Sequence, residues 1–186
     1  MSTPPAFTIE TDRTLIVPTP SVALERRAAM EEFEIDLEIG GAPVPVRIPA
    51  GWPGDELEGL PDLLALRAAG HTEPWNGMVI ERASLEAVGQ IGCTALPDRN
   101  GQVEVRYATL KERRDRGFAS EAGGAFVDWL LARPGITAVI AECHVTNAAS
   151  VRVLEKTGFE PLEEREDEDG RLLRWIKRRP AGARPT

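Results

Sequence analysis

The chain has 186 residues, a formal net charge of −8, and 42% hydrophobic and 28% charged residues, an ordinary globular mixture long enough to enclose one core. The acid excess argues against a non-specific nucleic-acid binder, and no apolar run reaches the ~20 residues that a membrane-crossing helix needs. Cys93 and Cys143 lack metal-ligand spacing, and the first residues show no signal-peptide pattern, so the expectation is a cytoplasmic protein with no metal, nucleic-acid or membrane partner.

Residues 1–8 are small, polar and Pro-containing and are expected to fray. Thr14–Val17 reads as a short strand closed by Pro18-Thr19-Pro20, and Ser21 as the N-cap of a helix over Val22–Glu32. Phe33, Ile35, Leu37 and Ile39 alternate with acids, Gly40-Gly41 marks a turn, and Val44, Val46 and Ile48 alternate again. This pattern predicts an inserted hairpin over 33–48. Pro49–Pro61 reads as loop, and Pro61–Ala69 has helical spacing. Trp52 and Trp75 are read first as anchors of long loops, and second as walls of an acceptor pocket.

Trp75–Arg82, Val88–Leu96 and Val103–Leu110 read as strands, with Asp98-Arg99-Asn100-Gly101 as a turn. Phe118–Ala132 carries apolar residues at helical spacing and stops before Pro134-Gly135. Ile136–Cys143 is a nearly continuous apolar strand, expected to be central in a sheet. Asn147–Thr157 reads as a helix ended by Gly158. Glu163–Asp169 is expected to be the acidic tip of a hairpin turning at Asp169-Gly170, with Arg171–Arg178 as the last strand and 180–186 as a tail. Interleaved helices and strands predict an α/β or α+β class with a mixed sheet, in one domain over 1–186.

Arg113-Arg114-Asp115-Arg116-Gly117-Phe118-Ala119 lies between a strand and a helix. The first N–H groups of a helix lack internal partners and carry partial positive charge, which favours an anion such as phosphate. Gly117 leaves room for a ligand to approach the backbone.

Arg114-Asp115-Arg116-Gly117-Phe118-Ala119 also resembles the acetyl-CoA signature of the GNAT superfamily of N-acetyltransferases: Arg or Gln, two residues, Gly, one residue, then Gly or Ala. Val103-Glu104-Val105-Arg106-Tyr107 upstream matches the strand before that loop. Asn147-Ala148-Ala149-Ser150 and Glu155-Lys156-Thr157-Gly158-Phe159 downstream look like the hallmark of the ribosomal-protein N-acetyltransferase branch, RimJ/RimL-type. The resemblance covers about Trp75–Lys177. It implies a GNAT fold, with about six to seven strands flanked by about four helices and central parallel strands that splay. It implies acetyl-CoA as cosubstrate and, as acceptor, a protein N-terminus or a small-molecule amine. A homodimer is a further implication.

Residue by residue, the resemblance gives the pyrophosphate to backbone N–H groups over Arg114, Asp115, Arg116, Gly117, Phe118 and Ala119. It gives the pantetheine arm to Thr109, Leu110 and Asn147, with Ser150 one turn further along. Glu104 matches a strand glutamate on the substrate side and is the candidate base; a solvent-facing glutamate paired with Arg106 is the other reading. Ser150 is the candidate acid, or an orienter of the sulfur, against a residue that satisfies backbone groups in a first helical turn. Asn147 is read both as an N-cap and as a cofactor contact. Leu154 stands where many members carry a tyrosine acid, and Tyr107 reads as a packing residue. Cys143 and His144 point to opposite faces of a regular strand, which argues against a cysteine nucleophile. The reaction class is direct amine attack in a ternary complex. The rival is a non-catalytic acetyl-CoA-binding sensor, which needs neither Glu104 nor Ser150.

Overall fold

A computed structural model describes residues 7–29, 32–54, 64–65, 75–167, 170–180 and 182. The strands are β1 (Ile9–Glu10), β2 (Thr14–Pro18), β3 (Phe33–Ile39), β4 (Ala42–Ile48), β5 (Asn76–Glu81), β6 (Glu86–Cys93), β7 (Gln102–Thr109), β8 (Ala138–His144), β9 (Glu160–Asp167) and β10 (Gly170–Arg178). The helices are α1 (Ser21–Ala29), α2 (Phe118–Leu131) and α3 (Ala148–Lys156). The sheet runs β1-β2-β5-β6-β7-β8-β10-β9, with the β3–β4 hairpin joined through β4 to β6. Its pairings are antiparallel except β7–β8 and the single bridge Arg47↔Glu86. This is the mixed α/β sheet that the pattern predicts, with more strands than expected.

Two differences have physical causes. The acidic segment expected as a hairpin tip is most of strand β9. Its glutamates face arginines of β10: Arg174 donates to Glu163 at 2.9 Å, and Arg171 pairs with Glu164. Opposite charges across a ladder turn an acidic run into an acceptable edge strand. Phe7, expected to be frayed, is buried, with its ring 4.9 Å from Trp129 and 6.1 Å from Phe126. The helix expected over Pro61–Ala69 lies outside the described residues, apart from Leu64 and Ala65, which are helical.

The sheet is buried on both faces. Against α2 and α3 lie Ile16, Val79, Val88, Ile91, Val103, Val105 and Val139, meeting Phe118, Phe126, Leu130 and Leu154. The opposite face carries Leu15, Val17, Met78 and Ile80 under α1, the hairpin and Trp52. Trp52 is an anchor: fully buried, it donates Nε1–H to the Gly89 carbonyl at 3.0 Å. Arg27 of α1 fixes the same loop by donating to the Trp52 and Ala50 carbonyls. Trp75 packs edge-on to Trp129.

The β1–β2 turn is tied to the first turn of α2 through Glu121. Thr11 Oγ1 donates to it at 2.6 Å, and Arg13 donates from its backbone N–H at 2.8 Å and from Nε at 2.7 Å. Burial pushes the carboxyl pKa up, but these donors outweigh burial and hold it below the usual value. A depressed carboxyl stabilises the fold above its unfolded pKa and loses that contribution as pH falls through the folded value. Glu121→Gln is therefore expected to lose less stability than the parent below about pH 4.3. Urea midpoints across the acid range check this; parallel curves would remove Glu121 from the acid response.

Gly89 lets β6 and β7 close together beside the site. A methyl group there would sit 2.3 Å from the Ala108 carbonyl oxygen. Gly89→Ala is expected to cost about 1–3 kcal/mol in urea unfolding, as overpacking does.

Candidate functional site

β7 and β8 part company early. They pair only at Gln102↔Ala138, Val103↔Val139 and Glu104↔Ile140. Beyond Glu104, β7 stays bonded to β6 through Gly89↔Thr109, and β8 stays bonded to β10 through Leu172↔His144. Glu104 gives its carbonyl to Thr94 N–H, and Leu110 gives its N–H to the Val88 carbonyl. Strand hydrogen bonding alternates, so Val105, Tyr107 and Thr109 turn their N–H and C=O groups toward the gap. The gap is thus an open sheet edge of the length that an extended arm would pair with.

At the wide end of the gap, Gly117 sits at the N-cap of α2 with φ 82°, a left-handed conformation that suits glycine, and no side chain caps the helix. A cavity of ≈ 280 Å³ opens here. Its walls include Thr109, Gly117, Phe118, Ala119 and Ser120 on one side and Asn147, Ala149, Ser150 and Val153 of α3 on the other. Arg113, Arg114, Arg152 and Lys156 ring it, with Asp115 as the one acid in the lining. A cationic cavity in a chain of net charge −8 draws anions to one place.

Of the residues expected from sequence, Thr109, Arg114, Asp115, Gly117, Phe118, Ala119, Asn147 and Ser150 line this cavity. Arg116, Leu110 and Glu104 are outside its lining. Arg116 turns back: its guanidinium reaches Glu81 at 3.3 Å and lies over the Phe118 ring at 5.1 Å. Leu110 is buried in the opposite core, and its carbonyl accepts from Arg113 N–H. Arg113 lines the cavity yet is clamped by Glu81 at 3.1 Å and by Glu86. Glu86 also holds Arg47 at 3.0 Å. Two carboxylates of β5 and β6, Glu86 buried and Glu81 nearly so, therefore fix the loop to the sheet through Arg113 and Arg116. Arg114 is directed otherwise, with Nε donating to the Thr109 carbonyl at 3.3 Å.

Asn147 does cap α3: its side-chain oxygen accepts from Ser150 N–H at 3.0 Å. The cap uses Oδ1 and leaves the amide NH₂ for a ligand in the cavity. Glu104 stands at the apex where the gap begins, with Arg106 Nε 3.5 Å from its carboxylate. Val103 and Val105 face α2 and α3, so Glu104 between them faces the other side of the sheet. Cys143 is buried, and burial pushes its thiol pKa up, with the nearby Trp175 indole working against that rise, which does not suit a nucleophile.

Sequence reasoning missed Arg152, Lys156 and Tyr107. The first two had a signal: Ala149, Arg152, Val153 and Lys156 recur at helical spacing behind Asn147, so they share one face. Tyr107 was seen only as packing, yet it also lines the cavity.

The arrangement fits coenzyme A. The bare N-terminus of α2 and the cationic rim suit its phosphates, and the open β7 edge suits its amide-bearing arm.

The model of the acetyltransferase (GNAT) domain family matches residues 47–160. The uncharacterized N-acetyltransferase YjdG of Bacillus subtilis is 34% identical over 82 residues, 44% of this chain and 49% of that protein. The chain's matches span about half the length of its curated relatives, 49% for YjdG and 45% for YoaA of the same organism. An acetyltransferase of the GNAT family from Bacillus anthracis superposes with TM-score 0.65 at 16% identity, covering 93% of this chain and 99% of that one. The ribosomal-protein-S5-alanine acetyltransferase from Vibrio fischeri gives TM-score 0.63 at 14% identity, over 94% and 98%. RimL, a ribosomal L7/L12 α-N-protein acetyltransferase solved with coenzyme A, gives 0.64 at 12%, over 92% and 98%. At these identities the structures speak for the fold, and the family match over more than half of the sequence decides membership: the chain belongs to the GNAT acetyltransferase domain family.

Proposed function

We propose that the protein is an acetyl-CoA-dependent N-acetyltransferase that acetylates a primary amine by direct attack in a ternary complex. The observation that carries this reading is the junction of the open β7 edge with a cationic cavity at the α2 N-terminus. Acetyl-CoA supplies an activated acetyl thioester. N–H groups over Gly117, Phe118 and Ala119, with those of Arg114, Asp115 and Arg116, receive the pyrophosphate. Arg152 and Lys156 add charge, while Arg113 and Arg116 hold the loop in place. Thr109 and Tyr107 offer backbone groups to the arm, and an N–H on this edge polarises the thioester carbonyl. Asn147 donates from the opposite wall.

An aliphatic amine with pKa near 10 is mostly protonated at neutral pH and must lose a proton before it attacks. Glu104, at the apex and on the face away from the cavity, takes that proton directly or through water. Ser150, whose side chain lines the cavity, meets the sulfur. The acceptor is a protein N-terminus or a small amine such as a polyamine. Among the structural neighbours are acetyltransferases of ribosomal proteins and a spermidine N-acetyltransferase chimera. The acetyl-CoA-binding sensor is kept as the second reading because Glu104 already has Arg106 beside it.

Thiol release from acetyl-CoA separates the two. Peptides beginning with Ser or Ala, spermidine and an aminoglycoside form the panel. At least one is expected to raise release well above hydrolysis; tight acetyl-CoA binding with no responsive amine would favour the sensor.

Charge reversal at Arg152→Glu with Lys156→Glu is expected to weaken acetyl-CoA binding about tenfold or more and to flatten its salt dependence. Calorimetry at two ionic strengths measures both, and unchanged affinity would place the phosphates elsewhere. Glu104→Gln is expected to lower kcat roughly 100-fold with acetyl-CoA affinity intact. Steady-state kinetics with the responsive amine decides, and an intact kcat would remove Glu104 as the base.

A further inference from the structure

Tyr107 is the chain's single tyrosine. Its half-buried ring leans on the core beneath α2 and α3. Its hydroxyl oxygen is closed off from solvent and has no hydrogen-bond partner among the described residues. A buried hydroxyl left without a partner destabilises a fold, so one that persists calls for an explanation. The surroundings supply it. Tyr107 lies on the open edge of β7, three residues past the last pairing with β8. It lines the same cavity as Asn147 and Ser150. Burial raises the phenol's pKa, the Ser150 side chain works against that rise, and Cys143 adds to it. Ser150 shares the cavity lining with Tyr107, although the two hydroxyls do not meet hydrogen-bond geometry. The Ser150 backbone N–H is fixed by Asn147, while among the described residues no hydrogen bond fixes its hydroxyl.

We propose that Tyr107 is a positioning residue whose hydroxyl donates to Ser150 Oγ, turning the Ser150 O–H toward the sulfur of coenzyme A. The inference rests on the acetyl-CoA reading above. In the transfer, the N–C bond forms as the C–S bond breaks, and the electron pair of that bond passes to sulfur. The amine's proton leaves toward Glu104. The thiolate is held by the Ser150 O–H and takes its own proton from water. Tyr107 stays protonated throughout, so it acts as a donor and not as an acid.

The test compares coenzyme A with desulfo-coenzyme A by calorimetry at pH 7 and pH 9, using the full chain. An alkyl thiol ionises near pH 8.5, so the parent's preference for coenzyme A is expected to rise at the higher pH. Tyr107→Phe removes one oxygen and is expected to cut that rise about tenfold. Affinity for desulfo-coenzyme A and the unliganded Tm are expected to be unchanged, or the Tm raised, because an unpaired buried group has gone. Ser150→Ala is expected to reproduce the loss, and the double variant to add nothing. An undiminished rise in Tyr107→Phe would overturn the inference and leave the acetyl-CoA reading standing. So would a lower Tm with equal loss for both ligands, the mark of a packing residue. Should the parent bind neither ligand, both readings fall.

Discussion

The site depends on a pairing that stops. Three residue pairs join β7 to β8, and then each strand keeps its outer neighbour while the inner edge is left open. In a folded interior an unpaired row of peptide groups is costly. It persists here because β6 and β10 hold the strands apart from outside and because α2 and α3 pack across the face. Val103 and Val139, at the last pairings, lie in the same core as Phe126 and Leu130. The apolar packing that closes the sheet at Glu104 is thus what keeps it open at Thr109.

Charge is distributed to serve the same opening. The chain is acidic overall, yet its cavity is ringed by cations. The cations at this end of the sheet, inside the lining and just outside it, divide by what faces them. Glu81 and Glu86 neutralise Arg113 and Arg116 and so fasten the loop at a fixed distance from the sheet. Glu121, which would otherwise place a negative charge at the first turn of α2, is occupied by Thr11 and Arg13. With these acids satisfied, the partial charge of the α2 N-terminus and the cations of α3 face the cavity without nearby competition, apart from Asp115.

The elements that frame the site were legible because each has a strong local pattern. The alternation of Phe33 to Ile48, the four-residue spacing of Phe118, Ala122, Phe126 and Leu130, and the apolar run ending in Cys143 all appear near their expected bounds. Asn147 was legible as a cap because capping is a local matter. The roles of Arg113 and Arg116 were not, because their partners come from β5 and β6, about thirty residues earlier. A cluster of arginines in sequence looks like a set of grips, and only the fold divides grips from struts. Glu163 and Glu164 misled for the same reason: they read as a solvated tip until Arg171 and Arg174 stand opposite. Tyr107 was hidden by its type, since a strand aromatic that only packs a core and one that also lines a cavity have the same local pattern.

Strand alternation also bears on how donor and acceptor would meet. Tyr107 and Ser150 belong to the α2–α3 face, where the cavity lies. Glu104, an odd number of residues away on the same strand, faces the side covered by α1 and the hairpin. Ala108, on that same side, lies under Gly54, whose added methyl group would stand 3.1 Å from the Ala108 side chain. If the donor enters from one face and the base waits on the other, the reacting groups can meet only where the sheet is interrupted. The apex at Glu104 and Ile140 is that place. On the proposed reading, separation of the faces keeps the base away from the phosphates and leaves the acceptor to be chosen by the region around the hairpin and Trp52. Those segments precede the signature residues in sequence, which is why the donor was readable from short motifs and the acceptor was not.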